Sequence, residues 1–183
     1  AGQSAFADIN VADSNTQVSK KQNIEIINIA NPSNSGLSHN RYNKFNVEQA
    51  GAVLNNARQN GKSQLAGDLN ANPNLKTQSA KVILNEVISR NPSKIAGKQE
   101  VFGDKADYVL ANPNGISVEG GGFINTPRAS LVVGKPQVST GNLNGYDVTG
   151  DKGLNTNGKI TTSGDIDLIA PQVNVAGQIT TSE

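Results

Sequence analysis

Apolar residues in this chain come in short bursts, and Asn, Gly and Pro stand between them. Ile24-Glu25-Ile26-Ile27-Asn28-Ile29 is the first firm run, rich in β-branched residues and closed by Asn31-Pro32, which reads as a strand. Before it, Phe6, Ile9, Val11 and Val18 are isolated apolar points in a polar stretch without period. Val47, Ala50, Val53, Leu54 and Ala57 carry the 3–4 spacing of a helix face, but Gly51 and Asn55-Asn56 interrupt it, so periodicity leaves residues 47–58 open. Val82, Ile83, Val87 and Ile88 predict a strand ending before Asn91-Pro92. Further on come Tyr108-Val109-Leu110, Ile116-Ser117-Val118, Phe123-Ile124 and Leu131-Val132-Val133, with corners at Gly120-Gly121-Gly122 and Thr126-Pro127. Strands this short, each followed by a corner, suit stacked coils better than long hairpins.

A repeat near the end strengthens that reading. Gly158-Lys159-Ile160-Thr161-Thr162-Ser163 returns as Gly177-Gln178-Ile179-Thr180-Thr181-Ser182, displaced by 19 positions. Self-similarity at that spacing marks one coil per repeat, each coil covering the hydrophobic face of the last. The sequence reaches Glu183 just after opening another such unit, so the coils are expected to continue in a longer protein.

Composition narrows the class. The 183 residues hold 25 Asn and 19 Gly against four Phe, three Tyr and no Trp. Such a chain cannot fill a thick core, but it can line a thin one with Val, Ile, Leu and Ala. The fold class is therefore all-β, a solenoid of coils of about 20 residues. The formal charge is +1, and Lys20-Lys21 is the only adjacent basic pair, which speaks against nucleic acid as a partner. No apolar run approaches the roughly 18 residues of a spanning helix, so no membrane insertion is expected. Without Cys there is no disulfide framework and no thiolate metal site. Without Met, Ala1 is not a translation start, and Ala1-Gly2 fits the end left by a removed signal peptide.

The chemistry-bearing candidates are few. Asn72-Pro73-Asn74-Leu75 and Asn112-Pro113-Asn114-Gly115-Ile116 place the same triplet at the same kind of junction between short strands. Pro presets the second place of a type I turn, and Asn tolerates bridge or left-handed angles at the third. Two readings stand for these nine residues: corners that the fold needs, or a partner-binding and folding-seed motif. His39 has no second His, no Cys and no acidic cluster beside it, and is expected as a hydrogen-bonded loop residue rather than a metal ligand or base. Asp165 and Asp167 form the one close acidic pair on an expected strand, and alternation turns both to solvent. No catalytic, cofactor or metal site is assigned.

Read together, Gly36-Leu37-Ser38-His39-Asn40-Arg41-Tyr42, Phe45-Asn46-Val47, Leu54-Asn55-Asn56, Asn72-Pro73-Asn74-Leu75, Val82-Ile83-Leu84-Asn85-Glu86-Val87 and Ala111 to Ile116 resemble a known family. This is the N-terminal two-partner secretion domain of filamentous-haemagglutinin-like exoproteins. The resemblance implies a right-handed parallel β-helix with an N-terminal cap, and makes residues 47–58 β structure. Residues 1–183 are then one domain, with the cap and first strands over about 1–45 and coils from 46 onward. Some members carry a cysteine pair where this chain has Val118-Glu119-Gly120-Gly121-Gly122, so any such disulfide is missing.

The family also implies the role. In the periplasm, after signal-peptide removal, the domain is recognised by a cognate outer-membrane β-barrel transporter through that transporter's periplasmic domains. It then seeds β-helix folding outside, as a monomeric unit of a secreted or cell-surface adhesin, haemolysin or contact-dependent growth-inhibition toxin. The rival readings are an adhesin gripping glycans directly, against which Tyr42, Tyr108 and Tyr146 are dispersed, and a β-helical polysaccharide lyase, which needs clustered carboxylates for Ca²⁺.

Overall fold

The computed structural model describes residues 8–181. Ala1, Gly2, Phe6, Ser182 and Glu183, which figure in the sequence reading, lie outside the described residues. In chain order the strands are β1 (Ile9–Val11), β2 (Gln17–Lys21), β3 (Ile24–Asn28), β4 (Leu37–Phe45), β5 (Ala52–Asn56), β6 (Gly61–Ser63) and β7 (Gly67–Leu69). Then follow β8 (Val82–Val87), β9 (Ser93–Ile95), β10 (Lys98–Gly103), β11 (Asp107–Ala111), β12 (Ile116–Ile124) and β13 (Arg128–Val132). The last are β14 (Lys135–Ser139), β15 (Asn142–Asp147), β16 (Gly153–Thr162), β17 (Asp165–Ile169), β18 (Gln172–Val175) and β19 (Gln178–Thr181). There is no helix among the described residues.

Two large sheets carry the coils. One runs β1-β4-β8-β11-β13-β17, the other β18-β16-β12-β10-β5-β3-β2, with β19 also on β16 and β9 on β12. From β4 and β3 onward every pairing in both sheets is parallel, the arrangement of a parallel β-helix. Coils without an insertion advance 19 to 27 residues: Ile26 pairs with Val53, Ile83 with Tyr108, Tyr108 with Ala129, and Ile160 with Ile179. The sequence repeat is thus a stacking register, in which Lys159, Ile160, Thr161 and Thr162 sit directly on Gln178, Ile179, Thr180 and Thr181.

The N-terminal edges of both sheets are covered. β1 adds antiparallel to β4, and β2 antiparallel to β3. An uncovered edge would present a row of free N–H and C=O groups. The stretch that reads as patternless therefore holds two capping strands. Its polarity has a reason, since no residue of β2 is fully buried and Val18 alone of its side chains packs against the core.

Two corrections concern loops. Gly120-Gly121-Gly122 is not a corner between strands but the bend inside β12, where the register against β16 shifts between Glu119 and Gly121. Gly120 and Gly121 have φ of 83° and 98°, angles that side-chain-bearing residues rarely adopt. His39 lies within β4, not in a loop. Residues 47–58 form no helix; β5 occupies their centre with all five residues buried.

The core is thin and aliphatic, as the composition demands. Ile27, Leu54, Ile83, Leu110, Leu131 and Leu154 are fully enclosed. Tyr42 packs on Phe45 at 4.9 Å and Tyr108 beside Phe123 at 5.0 Å between ring centroids. Asn fills polar gaps that would otherwise be costly. Asn40 accepts from Thr16 Oγ1 at 2.8 Å and the Ala30 amide at 2.9 Å, and Asn85 accepts from Tyr42 Oη at 2.9 Å. Asn56 likewise holds the Ala80 amide and donates to the Ala80 and Asp104 carbonyls.

Each large sheet also buries apolar residues on its outer face, beneath a hairpin inserted between coils. β6 and β7 bring Leu65, Ala66 and Leu69 onto Ile26, Val53 and Phe102. The buried Glu100 carboxylate fixes that hairpin, accepting from Ser63 Oγ at 2.7 Å and from the Gln64 and Leu65 amides at 2.9 Å. β14 and β15 bring Val138, Leu143 and Tyr146 onto Leu37, Leu84, Val109, Ala111 and Val132. The second hairpin reaches back to the first coil, where the Gly141 carbonyl accepts from Ser33 Oγ and Ser35 Oγ, both at 2.7 Å.

Candidate functional site: two Asn-Pro-Asn turns beside one sheet face

Both triplets form the same turn. The Leu75 amide donates to the Asn72 carbonyl at 3.2 Å and the Gly115 amide to the Asn112 carbonyl at 3.3 Å. Neither Asn74 nor Asn114 has positive φ, which leaves type I and excludes type II. Gly115 follows at φ 116°, a conformation that favours glycine.

The inner Asn of each triplet is structural. Asn72 and Asn112 are buried, and their Oδ1 atoms accept from the amides of Asn74 and Asn114 at 2.9 and 3.0 Å. Their Nδ2 groups tie the turn to the preceding coil. Asn72 donates to the Ile29 and Asn55 carbonyls at 3.0 and 2.9 Å. Asn112 donates to the Asn91 carbonyl and Ser93 Oγ, both at 2.9 Å. Leu75, Gly115 and Ile116 are buried as well. What each triplet shows to solvent is its Pro, exposed, and its outer Asn, half-buried. Asn74 donates to Gln17 Oε1 at 2.8 Å and the Ile29 carbonyl at 3.0 Å; Asn114 donates to the Ser89 carbonyl at 2.7 Å.

The junctions differ. The first turn precedes β8 and the second follows β11, so one enters the sheet that the other leaves. They border the same outer face from opposite ends. A groove of about 550 Å³ includes Asn74, Lys76, Leu37 and His39, and one of about 450 Å³ includes Pro113, Arg41, Ile88 and His39; Val138 of the β14–β15 hairpin lines both. His39 Nε2 lies 2.7 Å from Glu86 Oε1, so the lone histidine is hydrogen-bonded as expected, though from a strand. Sequence reasoning singled out the turns and missed this face. Its signal was the alternation in β4, where Ser38, Asn40 and Tyr42 turn inward and His39 and Arg41 outward.

The acidic pair is already engaged. Arg128 holds Asp167 at 2.8 Å and Asp165 at 3.3 Å, and Ser130 Oγ donates to Asp167 at 2.8 Å. Partial burial would raise the Asp167 carboxyl, but the hydrogen bonds from Arg128 and Ser130 outweigh it and hold it below its usual range. Among the described residues no group of three or more His, Asp or Glu is placed to hold a metal ion.

The comparisons with known proteins agree with this fold. The model of the TPS secretion domain family matches residues 6–183. The hemolysin of Proteus mirabilis is 55% identical over 161 residues, covering 87% of this chain and 10% of that protein. The toxin CdiA of Yersinia pestis is 44% identical over 174 residues, covering 92% of this chain and 5% of that protein. A crystal structure of the filamentous hemagglutinin secretion domain superposes with a TM-score of 0.89 at 36% identity, over 97% of this chain and 60% of that one. The chain belongs to the TPS secretion domain family, a targeting rather than a catalytic domain of large exported proteins. It spans a tenth or less of the length of the two curated relatives named.

Proposed function

We propose that this domain addresses a large exoprotein to its cognate outer-membrane transporter, that the transporter's periplasmic domains recognise it, and that it then seeds folding of the coils that follow. The parent is an adhesin, haemolysin or growth-inhibition toxin that reaches the surface through the periplasm after losing a signal peptide. The family match over residues 6–183 carries this reading. The fold supplies a physical rationale. One coil buries too little apolar surface to offset the entropy of ordering its own residues, so each coil must add to one already formed. A stack closed at its N-terminal edges by β1 and β2 offers such a template. Residues 1–45 are then the cap with the first strands, and the coils proper follow from 46. The domain acts as a monomer, without cofactor or metal. The adhesive reading lacks an aromatic platform, since Tyr42 and Tyr108 are buried in the core.

Within the two turns, we assign the buried Asn72, Leu75, Asn112, Gly115 and Ile116 to the folding seed. Pro73, Asn74, Pro113 and Asn114 are the atoms a partner can touch. Asn114→Ala separates the two roles. It removes the half-buried hydrogen bonds of the side-chain amide to the Ser89 and Asn91 carbonyls and to Asn112 Oδ1, together worth about 1–2 kcal/mol, and the thermal midpoint is expected to fall by only a few degrees. Secretion of the parent is expected to fall several-fold in the same cells. Secretion that stays normal, or falls only as far as the lost stability dictates, would return Asn114 to a purely structural role.

A further inference from the structure

We propose that the outer face of the β4-β8-β11-β13 sheet, between the β14–β15 hairpin and the two turns, binds an acidic segment on the periplasmic part of the transporter. This rests on the transporter-targeting reading above and names the chemistry of its contact.

Three observations carry it. The first is charge without a partner. Arg41, Lys76 and Lys135 line the two grooves and are exposed. Among the described residues none of the three forms an ion pair, and Lys76 Nζ reaches only a carbonyl, that of Pro73, at 3.1 Å. Lys135 lies opposite Asp147 across the hairpin and still makes no bridge to it. Glu86, the one carboxylate lining these two grooves among the described residues, is buried and held by His39. The grooves are therefore short of free acid.

The second is an apolar anchor. Ile88 is 53% exposed, one of three large hydrophobics left open among the described residues, and the other two, Val173 and Val175, lie on β18. Ile88 is fixed in place, since its amide donates to the Tyr42 carbonyl at 2.9 Å. Pro113 lines the same groove. A partner that sets carboxylates against Arg41 and Lys135 would seat an aliphatic or aromatic side chain on Ile88 and Pro113.

The third is contrast with a larger groove, about 960 Å³, between β3 and the β6–β7 hairpin. There Lys62 is paired with Asp68 at 3.1 Å, and Lys21 meets only a carbonyl, that of Asp68, at 2.6 Å. Concave space is larger there, but unmatched charge is concentrated beside the two turns. Rim charges of this kind act chiefly on association rate and its salt dependence.

The test uses the whole domain and the periplasmic region of its cognate transporter, with association followed by surface plasmon resonance at low and high salt. The double variant Arg41→Glu/Lys135→Glu is expected to slow association about tenfold at low salt. It should also flatten the salt dependence and leave the thermal midpoint unchanged. Lys98→Glu/Lys159→Glu makes the same change of net charge on the other sheet and is expected to keep the wild-type rate. Equal slowing in both doubles, or no slowing in the first, would overturn the proposal. So would transporter association unaffected by the first double while binding to phosphatidylglycerol vesicles, or self-association in sedimentation, is lost. A wild-type domain that does not bind the transporter at all would instead remove the targeting reading on which this one rests.

Discussion

Replacing Ile116 by Asp is expected to unfold the coils around the second turn and to stop export of the parent protein. Ile116 is 2% exposed and opens β12, where it pairs with Ser93 on one side and Leu154 on the other. A carboxylate there has no cation within the core. The variant loses about 2 kcal/mol of apolar burial and adds about 3–5 kcal/mol for a buried charge without a partner. Together these approach the whole net stability of a typical domain, about 5–15 kcal/mol. Ile116→Val, costing about 1 kcal/mol, is the control. Urea unfolding of the purified domain and the amount of parent protein in the medium read the two effects. Normal export from cells carrying the Asp variant would contradict the claim that this core must form for the chain to leave.

Gly122→Ala is expected to do comparable damage by a different route. A Cβ on Gly122 would lie 1.9 Å from the Thr161 carbonyl oxygen and 2.9 Å from its carbon, both backbone atoms of the next coil. Gly122 and Thr161 are register partners, so relief requires prising β12 from β16. Neither strand can shift alone, because β16 also carries β18 and β19. A loss of more than about 3 kcal/mol follows, since overpacking here meets main chain rather than a rotatable side chain. Gly153→Ala, whose Cβ would meet nothing nearer than 3.5 Å, is expected within about 1 kcal/mol of wild type. Denaturant midpoints of the two variants check the contrast, and faster amide exchange through β16 to β19 should accompany the first. Equal midpoints would mean that the coils are not packed this closely.

Much of this architecture was legible in the residues. The 19-residue repeat at Gly158 and Gly177 became a coil-on-coil register, and the strands around Ile26, Ile83 and Tyr108 fell where β-branched and aromatic runs place them. Turn chemistry gave both Asn-Pro-Asn corners down to their first hydrogen bond. What escaped was long-range. Ile9, Val11 and Val18 carry too few apolar residues to announce strands, because β1 and β2 take their order from the edges they cover. The hairpins over the outer faces depend on partners far along the chain, such as Glu100 for Ser63 and Ser33 for Gly141. The glycine run looked like a break, and is a bend, because close approach to Thr161 and Gly97 decides its conformation rather than local propensity.

The same distance in sequence hid the candidate site. His39, Ile88, Pro113 and Lys135 come from four separate segments, and only stacking of the coils brings them to one groove. The burial of Asn72 and Asn112 was not read from the sequence, although an Asn before Pro at a type I corner can cap its own turn and still donate to the coil beneath.

The central claim is that this domain is an export address read by an outer-membrane transporter. Its most direct test is to fuse a passenger protein behind residues 1–183 and measure the passenger outside the cell, with and without the cognate transporter. The account predicts passenger outside only when both the domain and the transporter are present. Export without the transporter, or retention of the passenger when both are present and the domain is folded, would contradict it.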